Sequence, residues 1–253
     1  MLNNYIKKRF IETKLFKFKP NLDLLVAIIT LLLTWVSYYG VEHWYRSNST
    51  FDLLAGIVLF IIVTNIFINV VFPIWWVVYY RKLSLSDLGI TSKLLIPSLI
   101  LGCILALWKG ISLPELVVGI NWVPHLIVSA LIFWEPFFVF GWLQSRYEKS
   151  FGIIPAILFA AASFILYQIG TADISSLLYL FGTYIILATV MASTKNIFSL
   201  WPIYWCIGSS VNSLSSGMKP YNWDIVAIYA IVLIIHIWYI RKAYKKQNKT
   251  NKK

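Results

Sequence analysis

The sequence predicts an all-α fold, a polytopic transmembrane bundle of about eight helices. Three observations carry this: the composition, apolar runs of bilayer length, and a lopsided distribution of Lys and Arg. Of 253 residues, 59% are apolar and only 13% are charged. A soluble domain of that size could not hide so much apolar surface, so lipid has to cover much of it. Aromatic residues make up 17%, and Trp44, Trp76, Trp108, Trp122, Trp142, Trp223 and Trp238 fall near the ends of apolar runs, where an interfacial belt would place them.

A helix needs roughly 20 apolar residues to span a bilayer. The candidate spans are 22–41, 53–80, 94–108, 123–144, 152–170, 177–193, 197–213 and 224–240. The second is long and holds Pro73, so a tilt or kink is expected. The third is short, a marginal span or a membrane-embedded half-helix. Around the membrane domain (22–240) lie a basic N-terminal segment (1–21) and a basic tail (241–253).

The charges test this count independently. With the N-terminus inside, 19 of the 22 Lys and Arg fall on the two tails and the second, fourth and sixth loops. Only Arg46, Lys109 and Lys219 fall outside. Omitting one helix would scramble that asymmetry, so the positive-inside rule predicts both termini in the cytoplasm. The net charge of +12 sits outside the apolar runs, which points to anionic lipid headgroups at the basic termini and not to nucleic acid. The first twenty residues carry six basic side chains and no long apolar core, unlike a cleavable signal peptide. Cys103 and Cys206 lie within apolar runs and read as buried thiols, not as a disulfide or metal pair.

Glu135, within Phe133-Trp134-Glu135-Pro136-Phe137-Phe138, is the one acidic residue well inside a predicted span. A carboxyl group there costs several kcal/mol unless paired, protonated or hydrated, which makes it a functional candidate. Pro136 has no N–H for the Ile132 carbonyl, so a kink and a polar spot facing the bundle are expected. The alternative is a protonated Glu merely bonded to a neighbouring helix. Phe164 and Gln168, four residues apart, share one face of the next helix, and Gln168 should bond between helices. Ser209, Ser210 and Asn212 form another polar cluster, which could equally serve close helix packing. His43, His125 and His236 show no metal-ligand spacing, and there is no Gly-x-Ser-x-Gly elbow.

The stretch Glu135-Pro136-Phe137-Phe138-Val139-Phe140-Gly141-Trp142-Leu143-Gln144 begins a frame that continues through Arg146, Phe151-Gly152, Pro155-Ala156-Ile157-Leu158 and Phe164-Ile165-Leu166-Tyr167-Gln168. It resembles the CAAX-protease and bacteriocin-processing (CPBP, or Abi) family of intramembrane metalloproteases. That family reads Glu-Glu-x-x-x-Arg-Gly-x-Leu-Gln, a short basic loop ending in Phe-Gly, Pro-Ala-Ile-Leu, then Phe-x-x-x-His. Leu83-Ser84-Leu85-Ser86-Asp87-Leu88-Gly89-Ile90 looks like its cytoplasmic loop, and Ser199-Leu200-Trp201-Pro202 like the lead into its final His-x-x-x-Asn. The resemblance covers roughly 83–212.

Most of the family's chemistry is missing. Its second Glu is Pro136 here, its Arg is Phe140, and its second-motif His is Gln168. Its last His and Asn fall at Ile207 and Val211, or in a shifted register at Gly208 and Asn212. A zinc hydrolase needs imidazole ligands and a Glu to polarise water. The resemblance therefore implies a non-catalytic bacterial cell-membrane protein without a cofactor. Glu135, Gln168, Phe164 and Asn212 would line a vestigial cavity, and a membrane or envelope protein or peptide would be the partner, in bacteriocin immunity or regulation. The alternatives are an active CPBP-type metalloendopeptidase using zinc and Glu135, and, more weakly, a transporter or transporter subunit.

Overall fold

The structure is a computed structural model and describes residues 14–45, 57–169, 174–215 and 219–250. Every long element among these residues is a helix. Five helices are long and apolar enough to cross a membrane: Leu22–Gly40, Val58–Tyr80, Val123–Phe151, Ile174–Thr194 and Trp223–Asn248. Two further apolar helices, Leu95–Gly110 and Ile153–Leu166, are shorter. At about 1.5 Å per residue, the 16 residues of Leu95–Gly110 reach about 24 Å, less than a hydrocarbon core of about 30 Å.

The helices are apolar on the outside. On Leu22–Tyr45, Leu25, Ile28, Ile29, Leu32, Leu33 and Val36 are exposed, while Ala27, Thr30, Thr34 and Ser37 are buried. Ile96, Ile100, Ile104 and Leu107 form a similar exposed stripe on Leu95–Gly110. A water-soluble helix turns its apolar stripe inward. The reverse pattern fits an integral membrane protein surrounded by lipid. Cys103 shares that outer surface and is exposed, which corrects the expectation of a buried thiol; Cys206 is half-buried, and both are free. A thiol is apolar enough to face lipid.

Hydrogen bonds join the inward faces. Thr34 Oγ1 donates to Asn69 Oδ1 at 2.8 Å, Trp142 Nε1 to Thr30 Oγ1 at 2.9 Å, and Gln144 Nε2 to the Ala188 carbonyl at 2.8 Å. Gly102 admits a close crossing: a Cβ there would lie 2.3 Å from the Ser199 carbonyl oxygen, so Leu95–Gly110 lies directly against the chain around Ser199–Pro202.

The connections gather at two ends. At one end, Asn196 Nδ2 bonds the carbonyls of Thr91 and Lys93 at 3.1 and 2.9 Å. There too, Lys149 pairs with Asp87 at 2.6 Å and Lys195 with Glu148 at 2.5 Å. Asp23 lies 3.0 Å from Arg81 and 3.6 Å from the fully buried Arg146, and accepts from Trp76 Nε1 at 2.9 Å. The last helix, Trp223–Thr250, continues through most of the expected tail, and Gln247 Nε2 reaches Ser84 Oγ at 2.9 Å. The opposite end holds Lys109, His125, Asn212, Ser213 and Tyr221, joined by the contacts described below.

Candidate functional site

Glu135 sits beside a break in its helix. The helix Val123–Leu131 stops at Ile132, whose ψ of 96° leaves the helical region, and helical geometry resumes at Trp134. Pro136 has no N–H to offer the Ile132 carbonyl, so no helical hydrogen bond is lost when the backbone turns there. The chain then winds in wide, π-helical turns over Phe137–Gln144 and ends in an ordinary helix over Ser145–Phe151. Such wide turns often mark functional positions.

The half-buried Glu135 carboxyl group ends a chain of phenols. Tyr204 Oη donates to Glu135 Oε2 at 2.6 Å, and Tyr184 Oη donates to Tyr204 Oη. Each tyrosine comes from a different helix, Ile174–Thr194 for Tyr184 and the wide-turned segment Trp201–Gly208 for Tyr204. Their rings meet edge to face at 5.3 Å. Phe164 stacks on Tyr184 at 3.5 Å between ring centroids, with Phe140 stacked beside it at 5.5 Å. Tyr184, Phe140, Phe164 and Tyr204 are all buried. The result is a hydrogen-bonded relay packed among aromatic rings, with the carboxyl group as its final acceptor.

Phe164 and Glu135, two residues named from the sequence, therefore belong to one cluster. Gln168 ends the Phe164 helix one turn further on and is partly exposed. Asn212 lies eight residues past Tyr204, about 12 Å at helical rise, and has different company. Lys109 Nζ donates to Asn212 Oδ1 at 3.4 Å and also to Tyr179 Oη, while resting 4.6 Å from the centre of the Tyr179 ring. Lys109, read from the sequence as a loop residue, is buried at the end of its helix.

The histidines take other positions. His125 Nδ1 accepts from the Tyr221 backbone N–H at 3.3 Å, which leaves the ring proton of the neutral form on Nε2 to donate to Ser213 Oγ at 2.6 Å. Its ring stacks on Tyr221 at 4.7 Å. His236 is buried, with its ring 5.9 Å from that of Phe133. The side chain of His43 lies outside the described residues. Among the described residues, no three His, Cys, Asp or Glu side chains come together in a metal-binding group.

No family model, curated protein or solved structure matches the chain. The functional reading rests on the site itself.

Tyr184 and Tyr204 are the functional candidates that sequence reasoning missed. The available signal was the lone intramembrane carboxyl group, which needs a donor, together with tyrosines inside apolar runs. Fifteen tyrosines, most of them suited to a membrane interface, obscured it.

Proposed function

We propose that this is a non-catalytic membrane protein of CPBP-like fold that acts by binding a membrane or envelope partner, in bacteriocin immunity or in regulation. Eight segments cross the bilayer in this reading. The five long helices are joined by Leu95–Gly110, Ile153–Gln168 and the Trp201–Ser215 stretch, whose shortness the surrounding bilayer accommodates by local thinning.

One observation carries the non-catalytic reading. The only motif carboxyl group, Glu135, is bonded to Tyr204, which accepts from Tyr184, itself stacked on Phe164 and Phe140, whereas zinc chemistry would require imidazoles. Phenol hydroxyls and phenyl rings are a poor donor set for zinc, so the residues here do not fit a metal centre. The aromatic packing supports a rigid core that presents the surrounding helices to a partner.

Peptide cleavage tests the reading. Detergent-purified protein, with and without added zinc, is incubated with prenylated C-terminal peptides and bacteriocin leader peptides. No product is expected; product that disappears in Glu135→Gln would restore the peptidase.

A transporter subunit is the second reading. The interruption at Ile132 beside an intramembrane carboxyl group favours it, because broken helices near such groups often line transport sites.

A further inference from the structure

The segment Lys14-Leu15-Phe16-Lys17-Phe18-Lys19-Pro20 alternates basic and apolar side chains immediately before the first helix. It is not helical, yet its backbone is held in place. Lys17 N–H donates to the Phe151 carbonyl and Lys19 N–H to the Ser150 carbonyl, both at 2.8 Å. The Ile153 and Ile154 N–H groups return bonds to the Lys14 and Leu15 carbonyls at 3.3 and 3.2 Å. Gly152 lies directly beneath. Its φ is +90°, and a Cβ there would fall 2.6 and 2.7 Å from the Lys14 and Leu15 carbonyl oxygens.

The backbone is thus anchored while most of the side chains are left outside, Lys17 alone being half-buried. Leu15, Phe16 and Phe18 are 45%, 66% and 82% exposed, and Phe18 is the most exposed of the large hydrophobic residues described. Lys14, Lys17 and Lys19 make no ion pair among the described residues, although Asp23, Asp87 and Glu148 at the same end are all paired. A segment folded for water would bury the phenylalanines. The first helix begins at Leu22, so a bilayer crossed by that helix would bring these rings to the level where hydrocarbon gives way to headgroups.

We infer that residues 14–20 form an interfacial strap that docks on an anionic leaflet, with Phe16 and Phe18 inserted among the lipids and Lys14, Lys17 and Lys19 on the phosphates. Charge complementarity selects the occupant: three ammonium groups with no ion pair among the described residues, beside exposed aromatic rings, match acidic lipid headgroups over acyl chains. The strap also touches function. Phe151 and Gly152, to which it is tied, join the helix that carries Glu135 to the helix that carries Phe164.

The proposal rests on the membrane reading of the chain, and the test separates the two. In a Cys103→Ser, Cys206→Ser background, a spin label is placed at Phe18→Cys or, as a control, at the lipid-facing Ile234→Cys. Each protein is reconstituted in vesicles of phosphatidylcholine alone or mixed with phosphatidylglycerol, and accessibility to oxygen and to a water-soluble nickel complex is measured. The label at 18 should be favoured by oxygen in the anionic vesicles and shift toward nickel in phosphatidylcholine. It should shift likewise in Lys14→Gln/Lys17→Gln/Lys19→Gln. The unmutated lysines provide a second check: salt raised to about 1 M shortens the screening length to about 3 Å and should reproduce the shift. The same accessibility at 18 in every lipid and salt, with the control still in hydrocarbon, overturns the strap. A control label exposed to nickel overturns the membrane reading instead.

Discussion

Tyr204 Oη lies 2.6 Å from Glu135 Oε2 and donates to it, while accepting from Tyr184. The carboxyl group therefore needs only an acceptor oxygen to serve this chain, and a side-chain amide supplies one. Glu135→Gln should retain nearly wild-type thermal stability in detergent and full activity in a partner-binding or protection assay. Glu135→Leu leaves the buried Tyr204 hydroxyl without an acceptor, at roughly 1–3 kcal/mol. Lower yield and a lower melting temperature should follow. If Gln abolishes function while Gln and Leu both express like wild type, the ionisable group itself is needed, and the non-catalytic reading loses its support.

Tyr204→Phe removes the same bond from the other side. Glu135→Leu and Tyr204→Phe should each destabilise, and the double variant should cost clearly less than the two single losses added together. Contacting residues couple by about 0.5–3 kcal/mol in such cycles. Strict additivity would show that the hydroxyl and the carboxyl group do not depend on each other.

Metal content gives an independent check. Purified protein should carry no stoichiometric zinc, and its melting temperature should not change with a chelator, because structural metal contributes strongly to folding where it exists. About one zinc per chain, lost together with stability on chelation, would revive the peptidase.

The sequence made much of the helical layout legible. Run lengths located five long apolar helices and two shorter ones among the described residues, and Pro136 marked the neighbourhood of the break found at Ile132. Partners were less legible, because hydropathy reports which runs suit a bilayer and says nothing of what a polar group inside the bundle meets. Asn212 looked like a neighbour of Glu135 through motif spacing, but it bonds Lys109. Tyr184 and Tyr204 looked like any intramembrane aromatic residues. The last helix outran its apolar portion because charged residues with good helix propensity extend it into water, where Gln247 finds Ser84.

Arg146 and Asp23 form a buried ion pair whose geometry is incomplete. Arg146 is fully buried, Asp23 nearly so, and they stand 3.6 Å apart. Removing one partner of such a pair strands the other charge, at about 3–5 kcal/mol. Asp23→Ala should therefore destabilise the protein severely, since it also releases Arg81 and Trp76. Asp23→Leu combined with Arg146→Met should recover much of the loss. A double variant less stable than Asp23→Leu alone would show that Arg146 has a role other than pairing.

Both termini should lie in the cytoplasm, with Arg46 and Lys219 outside. Two lines of reasoning meet here. The positive-inside rule assigns 19 basic residues to one side and three to the other. Independently, the first helix start, the 81–93 connection, the 145–153 turn, the 195–199 turn and the end of the last helix are bonded together at one end. Lys109, Asn212, His125 and Tyr221 gather in separate contacts. Arg46 falls outside the described residues, so Lys219 carries the structural test. In a Cys103→Ser, Cys206→Ser background, Lys219→Cys should react with an impermeant maleimide on intact cells. Gln247→Cys should react only after the membrane is opened. Labelling at 247 but not at 219 in intact cells would invert the orientation, and labelling of both from one side would mean an even number of crossings between them, contrary to a single spanning helix Trp223–Thr250.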